Sequence, residues 1–170
     1  MILTGRQIEA AVDAAEIVIR PFDPSRMNPN SYNYTLGRHL KFTEGVLDAR
    51  REVIWRSVVI GDEGYVLVPG RLYLASTAEV IGSDTYVTSL IGRSSLGRLG
   101  LFVQVTADLG HQGAVHCWTL ELTVVQPLRV VPGMPLGQVS FWRTAGSVTS
   151  YSGMYGQTSA PTPFWPPSLA

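Results

Sequence analysis

The chain has 170 residues, of which 45% are hydrophobic and 15% charged, and its formal net charge at pH 7 is zero. This length suits one domain, and the apolar content supports a substantial core and argues against long disorder. The balanced charge gives no electrostatic indication of a nucleic-acid or membrane partner. With a single cysteine, Cys117, the chain has no intramolecular disulfide framework. Because we find no signal peptide and no membrane-spanning run, we expect a cytoplasmic protein.

The N-terminal segment predicts a short helix. Thr4 and Gln7 have the spacing of a capping box. Apolar residues then recur at helical spacing, at Ile8, Ala11, Val12 and Ala15. We expect this helix to pack against the core, and the Pro- and Asn-rich stretch after it to end it.

Most of the remaining chain predicts short β-strands. Segments rich in β-branched and aromatic residues are separated by turn signals, as in YNYTLG, EVIWRSVVIG, GYVLVPGRLYLAST, TYVTSLIG, LFVQVTA, AVHCWTLELTVV and LRVVPGMPLGQVSFW. Pro69-Gly70 and Pro132-Gly133 suit tight turns that join a strand pair or form a corner. The pattern predicts an all-β fold, a sandwich or barrel of the jelly-roll kind, over residues 1–150.

Residues 151–170 differ in composition from the domain before them. They are rich in Gly, Ser and Pro, which predicts an extended arm. The arm nevertheless carries Tyr151, Tyr155, Phe164 and Trp165. Such an aromatic content suits a segment that docks on a neighbour or closes over a ligand.

The stretch GRSSLGRLGL concentrates polar and basic groups inside an apolar neighbourhood. Gly92 permits a turn, and the residues after it predict about one helical turn with Ser94 and Ser95 at its start. Free backbone N–H groups, serine hydroxyls and the guanidinium groups of Arg93 and Arg98 form an anion site that suits a phosphate-bearing ligand. A capped turn with surface arginines is the alternative interpretation.

The segment HCWTLELTV predicts a strand with two unlike faces. Trp118, Leu120, Leu122 and Val124 fall on one face, and Glu121 falls on the other among small polar residues. That position leaves room for water or substrate beside the carboxylate, as a proton-transfer group requires. A solvent-facing glutamate on a half-exposed strand is the alternative.

These segments together resemble the dCTP deaminase family, part of the trimeric dUTPase-like superfamily. The resemblance covers nearly the whole chain in order, through MILTGRQI, NPNSYNYTLG, GRSSLGRLGL, VQVTA, TLELTVV, PGMPLGQVSF and YSGMYGQ. It implies a distorted β-barrel or jelly-roll fold with a short N-terminal helix. It also implies a homotrimer with active sites between subunits, each closed by a C-terminal arm.

The resemblance also implies roles for particular residues. Glu121 would transfer protons, Ser94 and Arg98 would hold the attacking water and stabilise the intermediate, and Arg93 and Ser95 would bind phosphates. The pyrimidine and the rest of the nucleotide would contact the residues Gln104, Val105, Thr106, Ala107, Tyr151, Tyr155 and Gln157.

The reaction implied is hydrolysis of dCTP to dUTP and ammonia without zinc. A zinc deaminase needs an H-x-E and a C-x-x-C arrangement. This chain has one cysteine, and none of its three histidines begins an H-x-E. We expect Mg²⁺ only as an ion bound through the substrate phosphates.

The sequence departs from the family pattern at two places that bear on the substrate. At the place of the aspartate that hydrolyses triphosphate in dUTPases, the ungapped comparison puts His111, and a shift by three residues puts Asp108. We favour the ungapped comparison, which argues against dUTPase activity and makes His111 and His116 pocket-rim or packing residues. At the place of the arm lysine stands Met154.

Three alternatives therefore remain beside dCTP deamination. They are deamination of a cytosine mono- or diphosphate or of a modified cytosine nucleotide, a dUTPase-like pyrophosphatase that uses Asp108, and a nucleotide-binding relative without catalysis.

Overall fold

The computed structural model describes residues 1–103, 106–157 and 159–163, and it is mainly β as predicted. The helical segments are α1 (Gly5–Asp13), the single turn α2 (Ser94–Gly97) and short 3-10 helices at Pro24–Arg26 and Met154–Gln157. The first strands are β1 (Val18–Arg20), β2 (Tyr32–Thr35), β3 (His39–Phe42), β4 (Arg56–Val59), β5 (Tyr65–Leu67), β6 (Tyr73–Ser76) and β7 (Val80–Gly82). The later strands are β8 (Val87–Gly92), β9 (Leu101–Val103), β10 (Leu109–Gly110), β11 (Val115–His116), β12 (Thr119–Val124), β13 (Leu128–Val130) and β14 (Pro135–Trp142).

The strands form distorted antiparallel sheets rather than a closed barrel. Within the described ranges, the largest sheet has five strands in the order β4-β3-β6-β12-β9, and a second has the order β10-β8-β14-β2. Smaller sheets have the orders β1-β7-β11 and β13-β5. The large sheet matters most for function because β12, at its interior, carries Glu121.

The core lies between the inner faces of these sheets. Its largest fully buried side chains include Tyr32, Tyr34, Tyr73 and Phe141, which come from β2, β6 and β14. Burying aromatic side chains of this size contributes much of the hydrophobic stabilisation of a small β domain.

The helix α1 begins as predicted, but its cap differs. Thr4 occupies the N-cap position in extended backbone, yet its side chain makes no capping hydrogen bond, so the predicted capping box is wrong. The helix buries Ile8 and Ala11 and ends at Asp13. The predicted helical repeat therefore extends too far, because Ala15 has a φ of 57° and lies outside the helix.

The two Pro-Gly turns are corners between sheets. Gly70 and Gly133 have φ values of 76° and 77°, which a glycine adopts without strain. The first turn leads from β5 to β6 and the second from β13 to β14, so each carries the chain from the two-stranded sheet into a larger one.

Two further segments differ from a simple strand interpretation. The predicted strand EVIWRSVVIG begins only at Arg56, and residues 43–55 contain no strand. The start of the arm folds back on its own chain, where the Tyr151 N–H donates to the Gln112 carbonyl at 2.8 Å.

None of the described helices has the length and apolar character to span a membrane.

Candidate active site

Glu121 lies at the centre of β12, between β6 and β9. Leu120 and Leu122 on either side of it are fully buried, whereas Glu121 is partly exposed, so its carboxylate leaves the sheet on the face away from the core. This alternation was predicted for Leu120, Leu122 and Val124 and is confirmed. Leu74 of β6 lies opposite Glu121 in the strand register.

Thr106 orients the Glu121 carboxylate. The Thr106 hydroxyl donates to Oε2 at 2.6 Å, and the Thr106 backbone N–H donates to the same oxygen at 3.3 Å. Among the described residues Oε1 has no hydrogen-bond partner. The carboxylate is thus held by one oxygen and presents the other, an arrangement that suits proton transfer.

A cavity of about 510 Å³ lies over this carboxylate. Its volume is in the range of small-molecule sites. It is lined by the predicted residues Thr106, Ala107, Glu121, Tyr151 and Tyr155 and by Trp55, Leu72, Leu74, Leu109, Gly110, His111, Ala114, His116, Trp118, Thr119, Thr162 and Pro163. The structure therefore brings five predicted site residues to one cavity.

Aromatic pairs form one wall of the cavity. The rings of His111 and Tyr151 stack with centroids 5.3 Å apart, and the rings of His116 and Trp118 lie 4.4 Å apart. Burial lowers the pKa of His116, and the neighbouring Cys117 carbonyl, 3.0 Å from Nδ1, partly opposes that shift. His111 and His116 are thus rim and packing residues of this cavity, as predicted.

Trp118 packs against the core, as predicted, and its side chain also lines the Glu121 cavity. It directly precedes β12 and is partly exposed. Its indole N–H donates to the Ile81 carbonyl at 2.9 Å, which ties the ring to β7.

The Arg-Ser-Ser turn lies elsewhere on the chain. As predicted, α2 is a single helical turn that begins at Ser94 and follows Arg93. Ser94, Ser95 and Arg98 are exposed, and Arg93 is partly exposed. None of these four residues lines the Glu121 cavity.

The topology explains this separation. The turn after α2 meets the far end of β12, where the Val125 N–H donates to the Gly100 carbonyl at 3.0 Å. Val125 lies four positions after Glu121, roughly 13 Å along an extended strand. Within one chain, the Glu121 carboxylate and the Arg-Ser-Ser turn therefore do not line the same cavity.

Several predicted residues lie partly or wholly outside the described residues. Gln104 and Val105 are not described, and neither are the side chains of Gln157 and Met154. The other arm residues Phe164 and Trp165 also lie outside the described ranges.

His111 and Asp108 occupy different surroundings. His111 lines the Glu121 cavity, whereas Asp108 is exposed and does not. The Asp108 carbonyl accepts from the Leu90 N–H at 3.0 Å, so this backbone belongs to the β8 edge. Of these two residues, only His111 lines the cavity, and it is also the residue that the ungapped comparison puts at the place of the dUTPase aspartate.

Sequence reasoning missed part of the cavity wall. Trp55 precedes β4, Leu72 directly precedes β6 and Leu74 lies on β6, all far from Glu121 in sequence. No local motif marks them, and Trp55 could be noticed only as a large aromatic residue in a turn-rich segment.

In the described part of the chain, no group of three or more His, Cys, Asp or Glu side chains is arranged to hold a metal ion.

The fold agrees with a solved structure. The crystal structure of 2'-deoxycytidine 5'-triphosphate deaminase from Agrobacterium tumefaciens matches with a TM-score of 0.65 and 22% identity, over 82% of this chain and 47% of that chain. This chain therefore has the dCTP deaminase fold and spans about half the length of that solved protein.

Sequence comparisons identify the family. The family model described as dCTP deaminase-like matches residues 2–144. A dCTP deaminase from Rhodopirellula baltica is 46% identical over 86% of this chain and 74% of its own length. A dUMP-forming dCTP deaminase from Clostridium acetobutylicum is 42% identical over 89% of this chain and 88% of its own length. The chain belongs to the dCTP deaminase-like family, which confirms the predicted resemblance.

Proposed function

We propose that the protein is an enzyme that removes the amino group of a cytosine nucleotide by hydrolysis, converting dCTP to dUTP and ammonia. Family membership and the names of the similar proteins support deamination of a cytosine nucleotide. The observation that carries the proposal is the Glu121 carboxylate, which Thr106 fixes by Oε2 at the floor of a ligand-sized cavity.

Glu121 transfers the protons of this reaction. Its Oε1 accepts a proton from water as the water oxygen bonds to C4 of cytosine. The C4–N4 bond breaks, and Glu121 gives the proton to N4, which leaves as ammonia. The second water proton ends on N3 of uracil, so atoms and charge balance. The step needs no zinc, in line with the absence of a zinc-deaminase motif from the sequence.

Ser94 and Arg98 act on this step from a neighbouring copy of the chain. They orient the water and stabilise the charge that develops on the intermediate. Because neither residue lines the Glu121 cavity of its own chain, a second chain would have to bring them to it. We propose a homotrimer in which each site forms between subunits.

The surface around α2 supports association. Exposed apolar side chains lie near it in the chain, at Ile91, Leu99 and Phe102, and Val125, which is also exposed, bonds through its N–H to Gly100 just after α2. Clusters of this kind mark protein–protein interfaces more often than free surface. A second copy would cover them and bring its own α2 toward the Glu121 cavity.

The remaining predicted residues bind the nucleotide. Arg93 and Ser95 hold phosphates with charge-assisted hydrogen bonds. Gln104, Val105, Thr106 and Ala107 read the pyrimidine edge, and Tyr151, Tyr155 and Gln157 of the arm cover the nucleotide. Mg²⁺ enters as the counterion of the substrate phosphates and contacts no reacting carbon. We propose a cytoplasmic location for this activity.

A product assay tests the proposal. Purified protein with Mg²⁺ is incubated separately with dCTP, dCMP, CTP, CMP and dUTP, and the nucleotides are separated by chromatography. A uracil nucleotide from a cytosine substrate is the expected result, and it must disappear in Glu121→Gln but persist in Glu9→Gln, an exposed glutamate of α1. If no cytosine nucleotide reacts, the enzyme proposal fails and a nucleotide-binding relative is favoured.

Mixing two inactive variants tests the composite site. Glu121→Gln and Ser94→Ala subunits are co-expressed with different tags and purified as mixed assemblies. Sites between subunits would regain activity, because one chain supplies Glu121 and its neighbour supplies Ser94. If mixed assemblies stay inactive while wild-type assemblies react, the two residues act within one chain and the proposed arrangement is wrong.

The phosphate product separates two versions of the function. Several similar proteins are named dUMP-forming, including those from Clostridium acetobutylicum and Cytophaga hutchinsonii. In this chain His111 rather than Asp108 lines the cavity, which supports dUTP as the product. Release of dUMP from dUTP, lost in Asp108→Asn, would instead favour the pyrophosphatase alternative. Faster reaction with dCMP would show that Met154 reduces triphosphate binding.

A further inference from the structure

The start of the C-terminal arm packs on the loop between β10 and β11. The Tyr151 N–H donates to the Gln112 carbonyl at 2.8 Å. The Tyr151 ring stacks on the His111 ring, with centroids 5.3 Å apart and an angle of 25° between the planes. This distance and angle are typical of an offset aromatic stack. A backbone hydrogen bond and a ring contact thus join the arm to a loop of the same chain.

The loop itself is bonded to the body of the domain. The buried Gln112 side chain donates to the Thr85 carbonyl, and the Gly113 N–H donates to the Ser83 carbonyl at 2.9 Å. A Cβ added at Gly113 would lie 3.2 Å from the Tyr151 nitrogen, so the arm backbone lies close against the loop. The loop therefore gives the arm a support that is fixed to the segment before β8.

The pair formed by His111 and Tyr151 separates two cavities. One is the Glu121 cavity, and the other has a volume of about 560 Å³ and is lined mainly by exposed residues in the range 144–153. Among the described residues, His111 and Tyr151 alone line both cavities. The stacked rings therefore close one side of the Glu121 cavity, and parting them would join it to the more exposed cavity.

The arm is fastened a second time on the strand that carries Glu121. The Thr162 N–H donates to the Thr119 hydroxyl at 3.0 Å, and Thr119 lies on β12 two residues before Glu121. Tyr151 and Thr162 both line the Glu121 cavity. The arm is thus held beside this cavity at two points, by His111 at its start and by Thr119 further on.

His111 has the surroundings of a stacking residue rather than of a catalytic base. Its ring is exposed, and its side chain makes no hydrogen bond within the described part of the chain. A histidine base is oriented by a hydrogen bond to one ring nitrogen, whereas the contact that orients this ring is the stack on Tyr151. An aspartate at this place has no ring and could not make the contact.

We propose that His111 is a positioning residue that holds the C-terminal arm closed over the Glu121 cavity of its own chain by stacking on Tyr151. This inference rests on the proposed function for its effect on catalysis, and it gives a role to a residue that departs from the family pattern. A closed arm retains the bound nucleotide. The stack favours bound substrate and transition state alike, so its loss raises KM more than it lowers kcat.

Removing the imidazole ring tests the inference. In His111→Ala we expect KM for the cytosine nucleotide to rise about fivefold, with kcat changed less than about twofold, because one aromatic stack changes binding by about two- to tenfold. His111→Phe keeps a ring and should bring KM back to within about twofold of wild type. His39→Ala, at an exposed histidine of β3 outside this cavity, is the matched control. An unchanged KM in His111→Ala, or a KM in His111→Phe as high as in His111→Ala, would overturn the proposal.

Hydrogen exchange, followed by mass spectrometry, measures the arm without catalysis. The Tyr151 N–H is protected by its bond to the Gln112 carbonyl. The peptide that contains it should exchange slowly in wild type, His111→Phe and His39→Ala and faster in His111→Ala. Equal exchange in all four proteins would mean that the ring does not hold the arm, and the proposal would be wrong. Since no substrate is needed, this result stands even if wild type deaminates no cytosine nucleotide and the proposed function fails.

A double-mutant cycle distinguishes the stack from a direct contact between His111 and the ligand. Calorimetry in a Glu121→Gln background, which prevents turnover, gives the dissociation constant of dCTP with His111→Ala, with Tyr151→Ala and with both. Because His111 acts through Tyr151, adding His111→Ala to Tyr151→Ala should change the dissociation constant by less than about twofold. A further loss of about fivefold in the double variant would show that His111 acts on the ligand by itself, which contradicts the proposal.

Discussion

Removing the Thr106 hydroxyl should slow the reaction without preventing substrate binding. In Thr106→Val, Glu121 loses the 2.6 Å hydrogen bond to Oε2 and keeps only the 3.3 Å backbone contact. A hydrogen bond to a charged group contributes about 1.5–3 kcal/mol, and the lower end applies because Thr106 is exposed and water can replace its hydroxyl. A loss of about 1.4 kcal/mol corresponds to a tenfold lower kcat.

The assay is steady-state deamination of dCTP, followed by ammonia release. Thr106→Ser restores the hydroxyl and should recover most of the activity. Thr123→Val removes a threonine hydroxyl two residues beyond Glu121 on the same strand and should leave kcat unchanged. The reasoning is refuted if Thr106→Val stays within twofold of wild type, or if Thr106→Ser is as slow as Thr106→Val.

Three further predictions concern stability and the cavity wall. Glu79→Ala should cost about 3 kcal/mol in urea unfolding, because its fully buried carboxylate accepts from Arg26 at 2.7 Å and from the backbone and hydroxyl of Thr35 at 2.9 and 2.7 Å. Gly110→Ala should lower stability by about 1–3 kcal/mol and change Trp fluorescence, because a Cβ at Gly110 would clash with the Trp118 ring. Burial lowers the pKa of His116, so the unfolded state binds more protons; the free energy of unfolding should fall as pH drops below about 6.5, and it should fall less in His116→Gln.

Patterns among neighbouring residues correctly predicted the strands and turns that those neighbours determine. Alternation identified β12 and the buried Leu120 and Leu122, and glycine spacing identified the single turn α2. The prediction failed at the ends of α1, where Thr4 makes no capping hydrogen bond and Ala15 lies outside the helix with a φ of 57°.

The residues of the cavity differ in whether the sequence could predict them. Glu121 and Thr106 could be predicted because both stand in recognisable segments, VQVTA and TLEL. Trp55 could not, since it reaches the cavity only through the pairing of β4 with β3 and of β3 with β6.

The separation of Glu121 from α2 bears on how the site is built. Glu121 lies in the cavity, whereas Ser94 and Arg98 of the same chain do not line it. Among the described residues Oε1 of Glu121 has no hydrogen-bond partner, and Ser94 and Arg98 are exposed to solvent. If copies associate as proposed, the exposed side chains near α2, such as Leu99 and Phe102, would be buried between them. Assembly and catalysis would then be coupled, so Phe102→Glu, which puts a charge on that surface, should abolish activity by preventing association.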